Sequence, residues 1–133
     1  MIMKVTDPNE IKKFQIFLDE YNDCFYQRDI ERLKNLYTSD GDIVFFDNHE
    51  NCDSQDLDDH LLKISKFFES GKIEEILLED MVIYQHGDSA CILMKCRYSS
   101  KPKPCVRTTL YLEKHDSVWK IRHIHYSFDP NEQ

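Results

Sequence analysis

Residues 106–127, VRTTLYLEKHDSVWKIRHIHYS, carry the clearest structural pattern in the chain. Two runs of mainly β-branched, aromatic and other apolar residues flank His115-Asp116-Ser117, a polar cluster that favours a turn. The pattern predicts an antiparallel hairpin formed by strands 105–114 and 118–128.

More strands are predicted upstream of this hairpin. Turn-forming residues at Gly87-Asp88 and at Lys101-Pro102-Lys103-Pro104 divide the preceding sequence into strand-like runs. The predicted strands, in chain order, are 43–46, 72–84, 89–100, 105–114 and 118–128. Because the last four are joined by short turns, we expect a largely antiparallel sheet.

Three helices are predicted in the N-terminal half. The first begins at Asp7-Pro8, an N-cap acid followed by a proline at the first helical position. The second begins after Asp29 and stops near Gly41, and the third runs from Asp53 or Ser54 to Gly71. Apolar residues recur at helical spacing; the inward positions of the first two helices are Ile11, Phe14, Leu18, Tyr21, Phe25, Ile30, Leu33, Leu36 and Tyr37. Helices followed by strands indicate an α+β fold.

The length, charge and cysteine content of the chain limit the classes of protein to which it could belong. The chain of 133 residues fits a single domain, 1–133, and its formal net charge of −8 argues against nucleic acid or an anionic membrane as a partner. No apolar run approaches membrane-spanning length. The cysteines are odd in number and lack C-x-x-C spacing, which predicts reduced thiols in a cytoplasmic protein; they are Cys24, Cys52, Cys91, Cys96 and Cys105.

The segments 26–47 (YQRDIERLKNLYTSDGDIVFFD) and 106–127, with the turn at 87–90, resemble the nuclear transport factor 2-like superfamily. Its SnoaL-like proteins and the association domain of calcium/calmodulin-dependent protein kinase II are the most similar branches. The resemblance covers about residues 11–128. It implies a cone in which a strongly curved antiparallel sheet wraps around the first helix, a cavity at the open end, and a homodimer through the outer sheet face. It implies no single activity.

Two candidate catalytic residues come from the resemblance to ketosteroid isomerases. Tyr21 occupies a place where those enzymes carry a tyrosine that donates to an oxyanion, and Asp47 stands near the place of their proton-shuttling acid. Tyr21 is alternatively a core tyrosine with a backbone partner, and Asp47 a turn-capping residue. Asn48 replaces the proline that usually follows the acid.

His60 is singled out by its position alone. It lies three residues after Leu57 and four before Ile64, within a helical stripe of large apolar residues. We expect it either to be satisfied in the core or to line an internal cavity, and the kinase association domain carries a pocket histidine at the matching position. His60 is therefore the third candidate catalytic residue.

Strict alternation divides the residues of the last strand between two faces. Read in register with the kinase association domain that the chain resembles, it implies that Arg122 and Tyr126 face the cavity and that Trp119 and Ile121 lie outside with His123, His125 and, from the preceding strand, Tyr111. The two outer histidines share a face, but no third ligand has suitable spacing, so we predict no metal site. The residues expected to bind ligand are Tyr21, Phe25, His60, Met94, Leu110, Arg122 and Tyr126.

Two functions remain open from the sequence. The first is a site for a small, mostly apolar ligand, with or without cofactor-independent acid–base chemistry of the isomerase, cyclase or dehydratase type. The second is a homo-oligomeric association module with a non-catalytic pocket. Leu110 and Cys96 stand where the association domain has pocket arginines, and Thr108 or Thr109 where the isomerases have a second donor.

Overall fold

The computed structural model describes residues 1–71 and 75–133. The helices are α1 (Pro8–Gln27), α2 (Ile30–Lys34) and α3 (Leu57–Glu69); the strands are β1 (Met3–Lys4), β2 (Val44–Phe46), β3 (Ile76–His86), β4 (Ser89–Tyr98), β5 (Lys101–His115) and β6 (Val118–Phe128). A short 3₁₀ turn, Pro130–Glu132, follows.

The strands form one mixed, mostly antiparallel sheet that curls around the helices. Its order is β1-β3-β4-β5-β6-β2, and among these described strands only β2 is parallel to its neighbour, β6. The predicted α+β fold is confirmed. Short β1 at one edge and the 3₁₀ turn at the C-terminal end were not predicted. No helix within 1–71 and 75–133 is both long and apolar enough to cross a membrane.

Helix α1 begins as its sequence predicts. The Asp7 carboxylate accepts a hydrogen bond from the Asn9 N–H at 3.0 Å, and Pro8 occupies the first turn, where no N–H is needed. Phe14, Leu18 and Tyr21 are buried along one side. The sheet therefore closes over a continuous apolar stripe of this helix.

The other two helices are shorter than predicted, because nearby residues pair with strands instead. Helix α2 ends at Lys34, and the Leu36 carbonyl accepts from the N–H of Ile121 on β6 at 2.7 Å. Ser54 exchanges two backbone hydrogen bonds with Phe45 on β2, at 2.8 and 2.9 Å. Helix α3 consequently starts only at Leu57, after Asp56 caps it.

Most predicted strands agree with the structure within a few residues. Strand β6 has the predicted bounds, and β5 begins four residues early, at Lys101. Strand β3 is described from Ile76 onward. The predicted strand residues 72–74 lie outside the described part of the chain.

A β-bulge in β6 changes which side chains face the interior. Tyr111 pairs with His123 but Leu112 pairs with Ile121, so Arg122 is an extra residue with no partner on β5. The prediction that Trp119 and Ile121 lie on the outer face was therefore wrong. Ile121 is fully buried, and the Trp119 ring packs on Phe14 at 5.3 Å.

Beyond the bulge the alternation follows the prediction. Ile124 is buried and Tyr126 points to the interior, whereas His123 and His125 pack edge-on against Phe46 on the outer side, at 5.3 and 5.5 Å. The outer face thus contains both histidines but neither of the large apolar residues expected beside them.

Candidate functional site

Four polar side chains meet inside the otherwise apolar interior. Tyr21 comes from α1, Tyr37 from the turn after α2, His60 from α3 and Tyr126 from β6. The Tyr21 and Tyr126 hydroxyl oxygens are 3.3 Å apart, and the Tyr37 hydroxyl is 2.7 Å from His60 Nε2. Tyr21, Tyr37 and His60 are buried, and Tyr126 is half-buried. We call this set the interior row.

Burial keeps the three phenols protonated. It raises the pKa of Tyr21 to about 12, while hydrogen-bonding contacts with Tyr126 and Tyr37 act to lower that pKa. Burial also raises the pKa of Tyr37 and Tyr126 well above that of an exposed tyrosine. The Tyr126 hydroxyl, 3.3 Å away, can stabilise negative charge on the Tyr21 oxygen or on a ligand atom beside it.

His60 is held neutral in the same interior. Burial lowers its pKa to about 4, with the Lys63 charge acting in the same direction and Asp59 opposing it. The imidazole is 2% exposed and packs against the Phe45 ring at 4.2 Å. A neutral imidazole has one N–H donor and one free lone pair, so His60 can either accept from or donate to Tyr37.

Aromatic side chains surround this polar group. The Phe25 ring lies 5.1 Å from Tyr21 and 5.5 Å from Phe68, and the Phe45 ring lies 5.6 Å from Tyr126. Two further expected lining residues, Met94 and Leu110, are buried in the same core. The surroundings of the interior row are therefore almost wholly apolar.

Asp47 lies in the loop after β2. Its N–H donates to Asp53 at 2.8 Å, and its carboxylate lies 3.2 Å from His49 Nδ1 and contacts Cys52. The contacts described for Asp47 all fall within the 47–53 loop. They match its alternative assignment as a turn-organising residue, and they do not join it to the interior row.

Arg122, the bulge residue, is held by two carboxylates. It forms ion pairs with Asp40 at 2.9 Å and Glu113 at 2.8 Å, and it also donates to the Asp42 carbonyl. The guanidinium lowers the pKa of both acids. The bulge interrupts the alternation that predicted an inward Arg122 side chain. Arg122 therefore pairs with these two acids and does not lie beside Tyr126 as a cavity cation.

Tyr37 was missed as a site residue, although its inward position was predicted. A buried tyrosine hydroxyl needs a hydrogen-bond partner, and so does a buried imidazole. The sequence places a tyrosine, Tyr37, and a histidine, His60, at inward positions of consecutive predicted helices. The need of each side chain for a partner is the signal that could have predicted their hydrogen bond. Their approach depends on the turn after α2, which the sequence predicted as helix.

Two surface depressions lie away from the interior row. One, of about 230 Å³, is on the outer face and includes Lys95, Arg107 and Thr109 in its lining. The other, of about 270 Å³, lies between β1, α1 and β3 and includes Val5 and Ile11. Among the expected ligand-binding residues, Met94 alone touches either of these two depressions.

One group of potential metal ligands occurs in the described residues, at Cys105, Asp129 and Glu132. The Arg97 guanidinium already pairs with Glu132 at 2.9 Å, and the Cys105 N–H donates to the same carboxylate at 2.7 Å. A metal ion would have to displace or face that guanidinium. The group instead fastens the C-terminal turn to β4 and β5.

Solved structures of low sequence identity share this fold. A "putative dehydratase from the NTF2-like family" of Streptomyces avermitilis has a TM-score of 0.79 at 13% identity, with 93% of this chain and 99% of that chain covered. A "putative calcium/calmodulin dependent protein kinase II association domain" of Xanthomonas campestris has a TM-score of 0.75 at 20% identity, with 96% and 94% covered. A cystatin-like fold protein of Burkholderia xenovorans has a TM-score of 0.71 at 17% identity, with 96% of this chain and 97% of that chain covered.

No curated protein matches the chain. The sequence does match a family of domains over most of its length, since residues 15–130 fit the SnoaL-like domain. The matched range extends from the middle of α1 to the end of the sheet and contains all four members of the interior row. The chain belongs to the SnoaL-like domain family, and it shares its fold with solved proteins described as NTF2-like.

Proposed function

We propose that the interior of the cone binds a small, mostly apolar molecule whose polar group contacts Tyr126 and Tyr21. The observation that supports this most is the interior row, in which Tyr21–Tyr126 and Tyr37–His60 pairs lie inside an apolar core. Burying hydroxyl and imidazole groups costs free energy, and packing alone would be served better by apolar side chains. Aromatic walls with a few convergent polar groups are typical of ligand sites.

If the site is catalytic, the reaction is a proton transfer that needs neither a metal nor an organic cofactor. His60 is the better candidate for the base, because it lies in the interior row and its imidazole is unprotonated at neutral pH, although its lowered pKa also makes it a weaker base than an exposed histidine. Tyr21 is the candidate donor to an oxyanion. Asp47 is the weaker candidate for the base, since its described contacts are with its own loop. One solved protein of the same fold is described as a "putative dehydratase", a reaction class that such groups could serve.

The experiment is untargeted mass spectrometry of metabolites that remain bound through purification. We expect a compound enriched with the native protein and depleted with Tyr21→Phe and Tyr126→Phe. Tyr111→Phe is the matched control, because its hydroxyl lies on the outer face, 3.5 Å from Ser89 Oγ. Equal recovery from all four proteins would contradict the proposal.

A second function, self-association, is favoured by the outer face. Val44 is 37% exposed, Phe46 41% and Leu93 36%. Val44 and Phe46 pair with His123 and His125, and Leu93 lies on the same face, separated from His125 by Thr109 of β5. No described element covers this sheet face. Apolar patches of this kind mark interfaces more often than free surface. A homodimer through this face is compatible with an interior ligand, and it would remain the main function if no ligand were found.

A further inference from the structure

The polar side chains that the structure describes in the interior of the cone are uncharged near neutral pH. They are the interior row, Tyr21, Tyr37, His60 and Tyr126, and a pair on the sheet, Cys96 and Thr108. Thr108 lies opposite Tyr126 across β5 and β6. Phenols and thiols largely keep their protons at pH 7 even in water, and burial raises the pKa of Cys96 as it does that of the three phenols. A ligand in this interior therefore meets dipoles rather than charges from these residues.

Two cations on the elements around the interior are already paired with carboxylates. Arg122 of β6 binds Asp40 and Glu113. Lys63 of α3, whose charge acts to lower the pKa of His60, lies 3.0 Å from Asp59. An anion at the interior row would therefore be buried beside neutral groups. Charged groups are buried in proteins only when they are paired, and otherwise they bind a proton and become neutral.

The hydrogen bonds of the sheet pair and of the Tyr21–Tyr126 pair leave one proton for a ligand. The Cys96 thiol lies 3.2 Å from Thr108 Oγ1, and the Thr108 hydroxyl donates to the Val106 carbonyl at 3.3 Å, so the sheet pair satisfies itself. Tyr21 and Tyr126 have two hydroxyl protons for the one hydrogen bond between them. The unused proton costs least on Tyr126, which is half-buried, because a donor on the buried Tyr21 would lack an acceptor. Tyr21 then donates to Tyr126, and Tyr126 donates to the ligand.

We propose that the ligand of the interior site is an uncharged molecule whose polar group accepts a hydrogen bond from Tyr126, such as a ketone, ester or amide, and that the site excludes carboxylates of the same shape. The inference rests on the proposed ligand-binding function and adds the chemical class of the ligand. Tyr126 selects this class, because it offers a donor within neutral and mostly apolar surroundings. A carboxylic acid enters such a site only with its proton bound.

The test compares two probes of nearly equal shape, 2-naphthamide and 2-naphthoate, by NMR titration. A carboxylic acid with a pKa near that of a glutamate side chain, about 4.3, is protonated in roughly one molecule in five hundred at pH 7. We expect the amide to shift the resonances of Tyr21 and Tyr126, and the naphthoate to bind more weakly by a factor on the order of a hundred or more. Between pH 7 and pH 6 the affinity for the acid should increase about tenfold, whereas the affinity for the amide should not change.

Three variants identify the donor and the carrier of the proton. Tyr126→Phe removes the donor and should weaken binding of the amide on the order of tenfold, whereas Tyr111→Phe, on the outer face, should leave it unchanged. His60→Gln removes the imidazole that could take up a proton beside an anion. The pH dependence for the acid should persist in His60→Gln, because the ligand itself carries the proton. Loss of that dependence would mean that His60 supplies a positive charge for an anion, and the inference would be wrong.

The outcomes separate this inference from the proposed function. Equal binding of the amide and the naphthoate at pH 7, with shifts at Tyr21 and Tyr126 for both, would overturn the inference and leave the ligand site intact. Amide binding that is unchanged in Tyr126→Phe would also overturn it. Failure of both probes to perturb the two tyrosines at pH 7 and pH 6 would contradict the ligand site and the inference together. Circular dichroism of each variant establishes that it is folded.

Discussion

His60 couples the folding equilibrium to pH. The unfolded chain binds a proton on this residue near the ordinary histidine pKa of 6.5, whereas the folded protein binds it only near pH 4. Between these values the unfolded state holds more protons, so the free energy of unfolding decreases as the pH decreases. The full difference corresponds to about 3 kcal/mol. This contribution is complete above pH 6.5 and is lost on acidification through that window.

We therefore expect His60→Gln to flatten the pH dependence of stability between pH 7 and pH 4.5. Glutamine can still hydrogen-bond to Tyr37, but it does not titrate. Urea unfolding across this range is the measurement, with His125→Gln as the control because His125 is exposed. The carboxyls with lowered pKa, such as Asp40 and Glu132, act at lower pH and should not obscure the effect. Parallel curves for the native protein and His60→Gln would contradict the expectation.

At the scale of single elements, β6 shows what its sequence could and could not predict. Apolar composition and the flanking turn give the bounds of the strand, Val118–Phe128. Strict alternation then assigns Trp119 and Ile121 to the wrong face, because the local sequence contains no signal for a β-bulge at Arg122. In the bulge the Arg122 guanidinium pairs with Asp40 and Glu113, which both lie outside β6.

The same limit applies to the helices. The inward position of His60 followed from the apolar stripe of α3 and is confirmed by its burial. The start of that helix was misplaced, because Ser54 pairs with Phe45 of β2 instead of beginning the helix. The local sequence pattern thus predicts the buried faces and approximate lengths of the helices. Hydrogen-bond partners, such as Tyr37 for His60, can be identified only from the tertiary structure.

Deleting Arg122 should therefore cost little more stability than replacing it. Arg122→Gln removes ion pairs that are partly exposed, which contribute about 1 kcal/mol or less. Deletion removes the same ion pairs together with the bulge, but Ile121 stays opposite Leu112 and His123 stays opposite Tyr111, so the buried side chains of β6 keep their faces. Thermal unfolding of the two variants measures the comparison. A much lower melting temperature for the deletion would mean that the packing of β6 needs the bulge itself.

At the scale of the whole molecule, the interior row and the outer face lie on opposite sides of the sheet. The interior row is enclosed by the concave side of the sheet and the helices, whereas Phe46, Leu93 and the paired histidines lie on the convex side. The proposed self-association and the proposed ligand binding therefore involve opposite faces of one sheet. Substitutions on one face should leave the other function in place, which allows the two proposals to be tested independently.

The last prediction concerns association through the outer face. We expect light scattering to give a dimer at micromolar concentration, and Phe46→Asp combined with Leu93→Asp to give a monomer, because four buried carboxylates would have to be desolvated in the symmetric interface. Leu62→Asp is the control, since Leu62 is 56% exposed on α3 rather than on the sheet. The double variant should still fold, because both side chains already meet solvent in the single chain. A native protein that is monomeric at micromolar concentration would contradict the proposed interface, and a dimer that survives the double substitution would place the contact elsewhere.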